Sequence, residues 1–549
     1  MADTVARAGM SDHDIERALP ILDIHAYVED FGASIVPGYR AGTADRDLPA
    51  DAGLGRSIIP PGTSATRDFS TLAPRLPRFI AEACVGCMAC VNACPDTAIL
   101  ATAQPRAALC DRIEAFAAAT PNAEAETAAL NQHFVATQKY ATVPERRGLE
   151  PADFGIFVDP VHCKGCGECV EVCAHLGHDA LEMIDKTSTG DIEGTVDVYR
   201  RGMTFFRSLP PTPAEYRNEK ALADLMLGEH AIGYVGGAGS CSGCGEASAL
   251  RMLVAATRQV HGPDSMGIVA ATGCNTVYGS TYPYNPYLVP WTNSLFENAA
   301  TDAMGIRARW NQAGHSDRRL WAIGGDGAMY DIGLQALSRM VASGADIKVM
   351  VLDTQAYSNT GGQSSTASFG GQITKLSAFG KVEHGRLERR KELGRLLMAH
   401  GEVYVAQTTT AHINHFYRAV IDANEYPGPA VIVVYTPCQP EHGIADDAAA
   451  QQSRLAVDSR TFPLFTYDPR RGETFAQRLS LQGNPALRDD WFSTADGETV
   501  DFLAFARTEG RFAAHFDASG LPTPELVATN VDRLANWHLL QEMAGLTKA

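Results

Sequence analysis

Residues 320–363 decide the fold: LWAIGGDGAMYDIGLQALSRMVASGADIKVMVLDTQAYSNTGGQ. The apolar run 320–323 suits a buried strand, and the Gly-Gly-Asp-Gly stretch after it resembles a turn that glycine makes at low cost. Gly344 takes a helix C-cap position, and the Val-rich run 347–352 predicts a second buried strand. Between the strands, apolar residues recur at helical spacing, at Ile332, Ala336, Leu337, Met340 and Val341. The stretch therefore predicts a βαβ unit of a parallel sheet, which binds ligands at the carboxyl ends of its strands.

Oxygen donors follow both predicted strands. Asp326 offers a carboxylate after the first strand, and Thr354 and the Ala356 carbonyl offer neutral oxygens after the second. Mg²⁺ prefers hard oxygen ligands in octahedral geometry and often shares them with phosphate. The N–H groups around Gly325 and Gly327, at the start of a helix, suit a phosphate. The pattern predicts a site for a magnesium diphosphate.

This arrangement resembles that of the thiamine-diphosphate enzymes. They carry Gly-Asp-Gly and, somewhat under thirty residues later, a metal ligand that is commonly Asn; here Thr354 takes that position and Asn359 follows five residues on. The form GDGAMYDIG then DTQAYSNTGGQSS resembles the pyruvate:ferredoxin oxidoreductases, which also use Thr. The resemblance implies thiamine diphosphate, Mg²⁺ and a catalytic Asn359 that faces the reacting centre. The alternative is a bare Gly-Asp-Gly turn, which many loops contain.

Composition and charge restrict the class of protein. The chain has 549 residues, enough for several domains, and a net charge of −18, which argues against nucleic acid as a partner. The N-terminus has no basic flank or apolar core, and no apolar run reaches the ~18 residues of a membrane span. We therefore expect a cytoplasmic protein without a membrane partner.

Thirteen cysteines indicate metal or cluster ligation rather than disulfides. Residues 84–95 form the C-x₂-C-x₂-C-x₃-C-P run of bacterial ferredoxins, and residues 163–173 form a second run that lacks the final Pro. In such pairs the fourth cysteine of each run closes the other cluster. The predicted [4Fe–4S] ligand sets are Cys84, Cys87, Cys90 with Cys173, and Cys163, Cys166, Cys169 with Cys94. Two zinc knuckles are the weaker alternative, and Cys110 is left over as an incidental thiol.

A third cysteine set is predicted around Cys241 and Cys244, whose spacing requires two further ligands. Cys274 and Cys438 are the candidates, because both lie in loops after apolar runs. From the residues alone, zinc and a cluster compete equally. The resemblance implies a proximal [4Fe–4S] cluster, since that family carries a CxGCGE pair, a TGC and a late PC.

Two further residues are expected at the cofactor. Glu246 begins a predicted helix, where it is expected to help hold phosphate or to hydrogen-bond the cofactor as a catalytic group. Thr272, in the ATGCN segment, is expected to bind the cofactor. Residues 281–299 resemble the family's loop that crosses near thiamine.

The fold class is α/β, a thiamine-diphosphate-binding parallel-sheet domain, with a small α+β two-cluster ferredoxin-like domain. Residues 1–75 are an arm or linker, with a possible helix at 12–19; a disordered tail and an arm laid over a partner subunit are equal alternatives. Residues 76–200 are the ferredoxin-like domain, with a helical insertion at 96–159 that decorates it or serves for docking. Residues 201–549 are the cofactor domain, with the proximal cluster and a C-terminal extension.

The resemblance covers the chain from about residue 69 onward. Full-length members hold further domains for the pyrimidine side of the cofactor, the substrate and coenzyme A, which we expect here on a partner subunit in a dimer of heterodimers. The implied function is the catalytic and electron-transfer subunit of a 2-oxoacid:ferredoxin oxidoreductase. It would decarboxylate a 2-oxoacid, with pyruvate favoured by the segment SNTGGQSS, to an acyl-coenzyme A and reduce ferredoxin or flavodoxin.

Other functions stay open from the sequence. 2-Oxoglutarate or another 2-oxoacid is an alternative substrate. The chain is alternatively an electron-transfer subunit without turnover of its own, or a non-redox thiamine decarboxylase with an idle ferredoxin domain.

Overall fold

The computed structural model describes residues 24–48, 58–218, 220–236 and 239–546; the predicted helix at 12–19 lies outside them. The described chain begins with a helical arm, which packs on a loop of its own chain. Phe31 is fully buried, and its ring lies 5.8 Å from the ring of Tyr282. Tyr27 donates a hydrogen bond to the Ile58 carbonyl at 2.9 Å. The arm consists of α1 (Ile24–Asp30), a π-helical turn (Phe31–Ile35), α2 (Val36–Ala41) and α3 (Ala44–Asp47).

The predicted ferredoxin-like part is built on two antiparallel pairings. Strand β1 (Arg75–Phe79) pairs with β5 (Leu181–Asp185), and β4 (Ala152–Val158) lies between β2 (Ile99–Pro105) and β3 (Phe134–Ala136). The cysteine runs lie in the loops and short helices that flank the first pair. The helices are α4 (Ala89–Ala93), α5 (Arg106–Ala118), α6 (Ala123–Asn131), α7 (Val143–Arg146), α8 (Glu168–His175) and α9 (Ile192–Ser208).

The sequence predicts a helical insertion at 96–159, but the structure differs, because β2, β3 and β4 form a sheet within this segment. Helix α6 ends at Asn131, and Phe134 begins strand β3. Gly155 on β4 leaves room for the Phe134 ring, because a Cβ at position 155 would lie 2.6 Å from it. The sheet and α5 pack against α9, with Phe157 and Phe205 in the shared core. The insertion is thus part of the packed core of this region.

The cofactor part is organised on a mostly parallel sheet. Among the described residues its strand order is β13-β12-β10-β11-β9-β8-β6-β7, with β12 and β13 antiparallel at one edge. This arrangement confirms the α/β prediction. The strands are β6 (Met266–Ala271), β7 (Trp291–Ser294), β8 (Arg319–Gly325), β9 (Lys348–Asp353), β10 (Tyr404–Thr409), β11 (Ala430–Tyr435), β12 (Phe465–Tyr467) and β13 (Leu479–Ser480).

Helices cover both faces of this sheet, and their bounds follow the chain. They are α10 (Gly245–His261), α11 (Cys274–Ser280), α12 (Ala299–Gln312), α13 (Leu334–Ala342), α14 (Leu393–Met398), α15 (Ile413–Glu425), α16 (Gln439–His442), α17 (Ala449–Asp458), α18 (Phe475–Arg478), α19 (Phe502–Ala506) and α20 (Pro524–Met543). Outside the sheet, Phe492–Ser493 pairs with Thr499–Val500 as β14 and β15. None of the helices in the described ranges is long and apolar enough to cross a membrane.

The central βαβ unit departs from its prediction at the start of the helix. Residues Gly327–Ile332 form a π-helical turn, and α13 begins only at Leu334. Leu337 is buried as the periodicity predicts, but Ile332 is 61% exposed, because the wider turn rotates it out of the core. The glycine turn also differs, since Gly324 does not have a positive φ. Gly324 instead lies in a tightly packed place: a Cβ there would lie 2.8 Å from the Met329 methyl group and 3.2 Å from the Cβ atoms of Ala271 and Ala328.

Replacing Phe31 with Ala removes the ring that holds the arm on Tyr282. A buried Phe→Ala change costs about 3–5 kcal/mol, and here the loss falls on a local contact. We expect faster tryptic cleavage at Arg40 and Arg46, with the main thermal transition unchanged. Val28→Ala, on the exposed side of α1, is the matched control. Equal cleavage rates in both variants would contradict this packing.

Candidate functional site

The predicted cofactor residues meet at the carboxyl edge of the parallel sheet. Asp326 follows β8, Thr354 and Ala356 follow β9, and Thr272 follows β6. They line a cavity of about 260 Å³. Every predicted site residue other than the cysteines lies in its wall: Glu246, Thr272, Gly325, Asp326, Gly327, Thr354, Ala356 and Asn359.

The three proposed metal oxygens are already neighbours. The Thr354 hydroxyl lies 3.3 Å from Asp326 Oδ1 and 3.0 Å from the Ala356 carbonyl, and Ser365 donates to the other Asp326 oxygen. Asp326 is 2% exposed, and burial together with the nearby charges of Asp353 and Asp331 raises its pKa well above the usual range. A divalent cation relieves such crowding of buried negative charge. The donor set therefore fits Mg²⁺.

Behind these oxygens, a buried ion pair fixes the end of β9. Arg390 and Asp353 are both almost fully buried and form a salt bridge. Tyr330 donates a hydrogen bond of 2.5 Å to Asp353 Oδ2, and Arg390 also donates to the Ala367 carbonyl. Because the two opposite charges face one another, this pair can hold the adjacent Thr354 rigidly without leaving an uncompensated charge.

Gln355 turns the chain between the two donors from β9. Its φ of 55° is left-handed, which is rare for a residue other than glycine. Its amide donates to Asp353 Oδ1 at 2.9 Å and accepts from Arg511 at 3.1 Å. The surrounding groups thus maintain a reversal that lets the Thr354 hydroxyl and the Ala356 carbonyl face the same side.

Gly327 is required by a close contact rather than by its backbone angles. A Cβ there would lie 2.8 Å from the ring of Tyr357. The Tyr357 hydroxyl in turn donates to Asp331 at 2.7 Å, which fixes the ring over the turn. The glycine lets the helix start and the loop after β9 approach one another across the cavity floor.

Glu246 enters the cavity from the first turn of α10. It is 5% exposed and accepts a hydrogen bond of 3.2 Å from Tyr278. Burial raises its pKa to about 7, so near neutral pH it is able to hold or release a proton. Thr272 donates to the Ser294 carbonyl at 2.9 Å, and Asn359 lies exposed at the rim.

Thiols from the first and second cysteine runs lie close to one another. Burial raises the pKa of Cys84 to about 11, and the neighbouring Cys87 and Cys173 raise it further. Burial likewise raises the pKa of Cys163 to about 12, with a further contribution from Cys94. The fourth cysteine of each run therefore lies with the other run's thiols, as the crossed ligand pattern requires.

The third set assembles from three separated segments, which carry Cys241 and Cys244, Cys274, and Cys438. The pKa of Cys274 lies far above its usual value, and burial is the largest cause. The nearby charge of Glu246 raises this pKa further, and so do the neighbouring thiols Cys244, Cys438 and Cys241. Cys274 also lines the cofactor cavity, so this set adjoins the proposed metal oxygens. The four thiols and the cavity thus form one continuous site.

One of the thirteen cysteines lies outside the three sets. All thirteen are free thiols, and Cys110 is exposed on α5, outside the three sets. In the described part of the chain, no three His, Cys, Asp or Glu side chains converge as ligands of a single metal ion do. In a cubane each cysteine binds a different iron, so its thiols stand around the cluster.

Some residues at the site were missed from the sequence. Ser365, the last residue of the SNTGGQSS segment, and Arg390 bind Asp326 and Asp353 from about forty residues away in the chain, and the sequence assigned neither of them a role at the site. Ser358 lies beside Asn359 and was not singled out, although it contacts the Thr354 hydroxyl at 2.9 Å. Only tertiary contacts identify these side chains.

Gly243, between Cys241 and Cys244, allows a test of the third set. Its φ is 69°, and a Cβ there would lie 1.8 Å from the Asp446 carbonyl. We expect Gly243→Ala to displace this loop and lower the iron content from about twelve to about eight atoms per chain. Gly314→Ala, with φ 82° and no atom within 4 Å, controls for backbone strain alone. Full iron content in Gly243→Ala would contradict this role for the loop.

Comparison with known proteins agrees with this site. Residues 271–434 match the thiamine pyrophosphate enzyme C-terminal TPP binding domain, and residues 77–100 match the 4Fe-4S binding domain. The chain is 30% identical over 83% of its length to a probable pyruvate-flavodoxin oxidoreductase of Escherichia coli (strain K12), covering 41% of that protein.

Two further relatives show the same pattern. A pyruvate-flavodoxin oxidoreductase of Rhodospirillum rubrum is 27% identical over 96% of this chain, and a pyruvate:ferredoxin oxidoreductase of Moorella thermoacetica is 27% identical over 83%. The chain covers 46% and 41% of these proteins, so it spans less than half the length of the curated relatives described here. Together with the thiamine-binding sheet and the crossed cysteine runs, these matches establish that the chain belongs to the pyruvate:ferredoxin (2-oxoacid:acceptor) oxidoreductase family.

Proposed function

We propose that this chain is the cofactor-binding and electron-transfer part of a 2-oxoacid:ferredoxin or flavodoxin oxidoreductase. One observation carries the proposal: Cys274, from the third thiol set, and Asp326, from the oxygen cluster, line the same cavity. A site for a metal diphosphate thus directly adjoins a site for a cluster. Neither a decarboxylase without redox chemistry nor an electron carrier without a cofactor needs this adjacency.

Different groups of the chain would bind the metal ion and the diphosphate. Asp326, Thr354 and the Ala356 carbonyl hold Mg²⁺, and the N–H groups near Gly325 and Gly327 hold the diphosphate. When bound, thiamine diphosphate supplies the nucleophilic carbon that lets a 2-oxoacid lose carbon dioxide, and the clusters accept electrons singly.

Glu246 and Asn359 both line the cavity and are proposed to take part in the reaction. Glu246 has a pKa raised to about 7 by burial, which suits a group that holds or gives up a proton inside the closed site. Asn359 is an exposed residue of the cavity lining, and its amide would hydrogen-bond the reacting oxygen of a bound substrate. These roles are proposals about this chain's own side chains.

The thiol sets form a path away from the cavity. Lys164, in the second cysteine run, donates to the Ser240 carbonyl beside Cys241, so this run faces the third set. Burial raises the pKa of Cys169 most, the thiols of its own set raise it further, and Cys90 adds a smaller contribution. Since Cys90 belongs to the other ferredoxin-like set, the two sets are neighbours. The Cys84 set reaches the surface, where Val85 is 45% exposed. This order supports three [4Fe–4S] clusters that lead to an external acceptor.

A partner subunit is proposed to complete the enzyme. It would carry the pyrimidine-side, substrate and coenzyme A domains, since the chain spans less than half of its relatives. We propose a division at about residue 200 between the ferredoxin-like and cofactor domains, and a dimer of heterodimers. Pyruvate is the proposed substrate, coenzyme A the co-substrate, and ferredoxin or flavodoxin the acceptor.

Iron and cofactor content test the proposal first. Three cubanes require about twelve irons and as many sulfides per chain, and fewer than about eight irons would refute the electron path. We expect Asp326→Asn to keep this iron but to bind Mg²⁺ and thiamine diphosphate at least about tenfold more weakly in calorimetry. Asp302→Asn, exposed on α12, is the control. Unchanged binding by Asp326→Asn would contradict the metal assignment.

Turnover tests the need for a partner. We expect the purified chain with thiamine diphosphate, Mg²⁺, pyruvate and coenzyme A to reduce no viologen dye, because the proposed partner subunit would carry the rest of the site. Dye reduction by the chain alone would contradict this expectation. With the partner present, rates across pyruvate, 2-oxobutyrate, 2-oxoglutarate and an aryl 2-oxoacid identify the substrate, and a preference for 2-oxoglutarate would overturn pyruvate.

A further inference from the structure

Arg251, on α10, is a buried cation that has no acidic partner in the described part of the chain. Its side chain is 1% exposed, and its guanidinium donates only to two backbone carbonyls, those of Val91 at 2.6 Å and Asn92 at 3.1 Å. Asp96, an acid a few residues further along, is paired instead with Lys164 at 2.8 Å. A buried charge without a counter-charge is expensive, so negative charge is expected close to this guanidinium.

The two carbonyls belong to α4, the short helix between cysteines of both ferredoxin-like sets. Val91 directly follows Cys90, a predicted ligand of the first set. Asn92 lies two residues before Cys94, which closes the second set. A [4Fe–4S] cluster with four thiolate ligands is negatively charged as a whole, and reduction adds a further negative charge. The two clusters would thus supply the counter-charge that the described side chains do not.

Other contacts hold this loop independently of Arg251. The buried side chain of Asn92 donates to the Met88 and Ala223 carbonyls at 2.8 and 3.2 Å. It also accepts a hydrogen bond of 2.5 Å from Tyr417 on α15. Because these bonds tie α4 to two other segments of the chain, the position of the loop does not depend on the guanidinium alone.

We propose that Arg251 is a positioning residue of the electron path, whose fixed positive charge makes the ferredoxin-like pair of clusters easier to reduce. The proposal rests on the proposed function, which places clusters in these two thiol sets. When a single electron passes from the third cluster to this pair, the third cluster is oxidised and the pair is reduced, and no bond forms or breaks. The guanidinium, which stays protonated, stabilises the added negative charge more strongly in this buried place than it would in water.

A purely structural role is the alternative. Val91 and Asn92 are among the last residues of α4, and arginine side chains also cap free carbonyls at helix C-termini. A cap needs N–H donors, whereas the electrostatic role needs the charge. Glutamine at position 251 keeps amide donors and loses the charge, and lysine keeps the charge on a different donor group. The two substitutions therefore separate the two roles.

The experiment is an anaerobic redox titration of the purified full chain, followed by electron paramagnetic resonance, which gives the mean midpoint potential of the ferredoxin-like pair. We expect Arg251→Gln to lower the equilibrium constant for reduction by about tenfold or more, which is about 59 mV for a one-electron step. Arg251→Lys should stay closer to wild type than to Arg251→Gln.

Arg307→Gln is the matched control. Arg307 is also buried and also donates to two carbonyls, those of His315 and Arg318 at 2.7 Å. These carbonyls precede β8, at the edge of the sheet opposite Asp326. We expect Arg307→Gln to lose a comparable set of hydrogen bonds and to keep the wild-type potentials.

Iron analysis first shows that each variant carries its clusters. Equal potentials in wild type and Arg251→Gln, or an equal drop in Arg251→Gln and Arg251→Lys, would overturn the electrostatic role and leave the proposed function intact. If Arg251→Gln does not assemble its clusters, Arg251→Lys decides: a potential near that of wild type supports the role, and a drop of about tenfold overturns it. A wild-type chain without the two ferredoxin-like clusters would overturn the proposed function as well.

Discussion

The parallel register of neighbouring strands is the constraint on which the site depends. Gly325 on β8 pairs with Leu352 on β9, so the next residues, Asp326 and Asp353, leave the sheet side by side. On the other side of β9, Asp353 pairs with Tyr435 on β11. Because parallel strands end at the same edge, a shift of register by one residue would separate the metal oxygens from each other and from Cys438.

The register brings several acids together, and buried cations balance them. Arg390 compensates Asp353, and Arg511 compensates Glu509, whose other oxygen accepts from Tyr435. Asp326 is the exception: it accepts from hydroxyls but forms no salt bridge within the described ranges. Arginines thus neutralise these supporting acids, whereas the Asp326 carboxylate stays available for the proposed cation.

The two parts of the chain are joined at α10, the helix that begins directly after Cys244. Arg251 on α10 is buried and donates to the Val91 and Asn92 carbonyls, between Cys90 and Cys94. From the other side, Glu168 accepts from the N–H groups at the start of α17. These contacts hold the ferredoxin-like loops against the cofactor sheet, and a fixed separation between clusters is what stepwise electron transfer needs.

The sequence by itself determined the βαβ unit, the Asp326–Thr354 spacing and the cysteine runs, because each is a local pattern whose residue types have few other uses. It predicted a helical insertion and a glycine turn, and there the structure differs: strands pair over long separations, and Gly324 does not have a positive φ. The packing of the arm on Tyr282, the hydrogen bond from Ser365 to Asp326 and the hydrogen bond from His442 to the Thr354 carbonyl were decided only by the tertiary structure. The physical reason is that these contacts join segments that are distant in the chain. Neither partner therefore produces a periodicity or a residue spacing in the sequence around it from which the contact could be predicted.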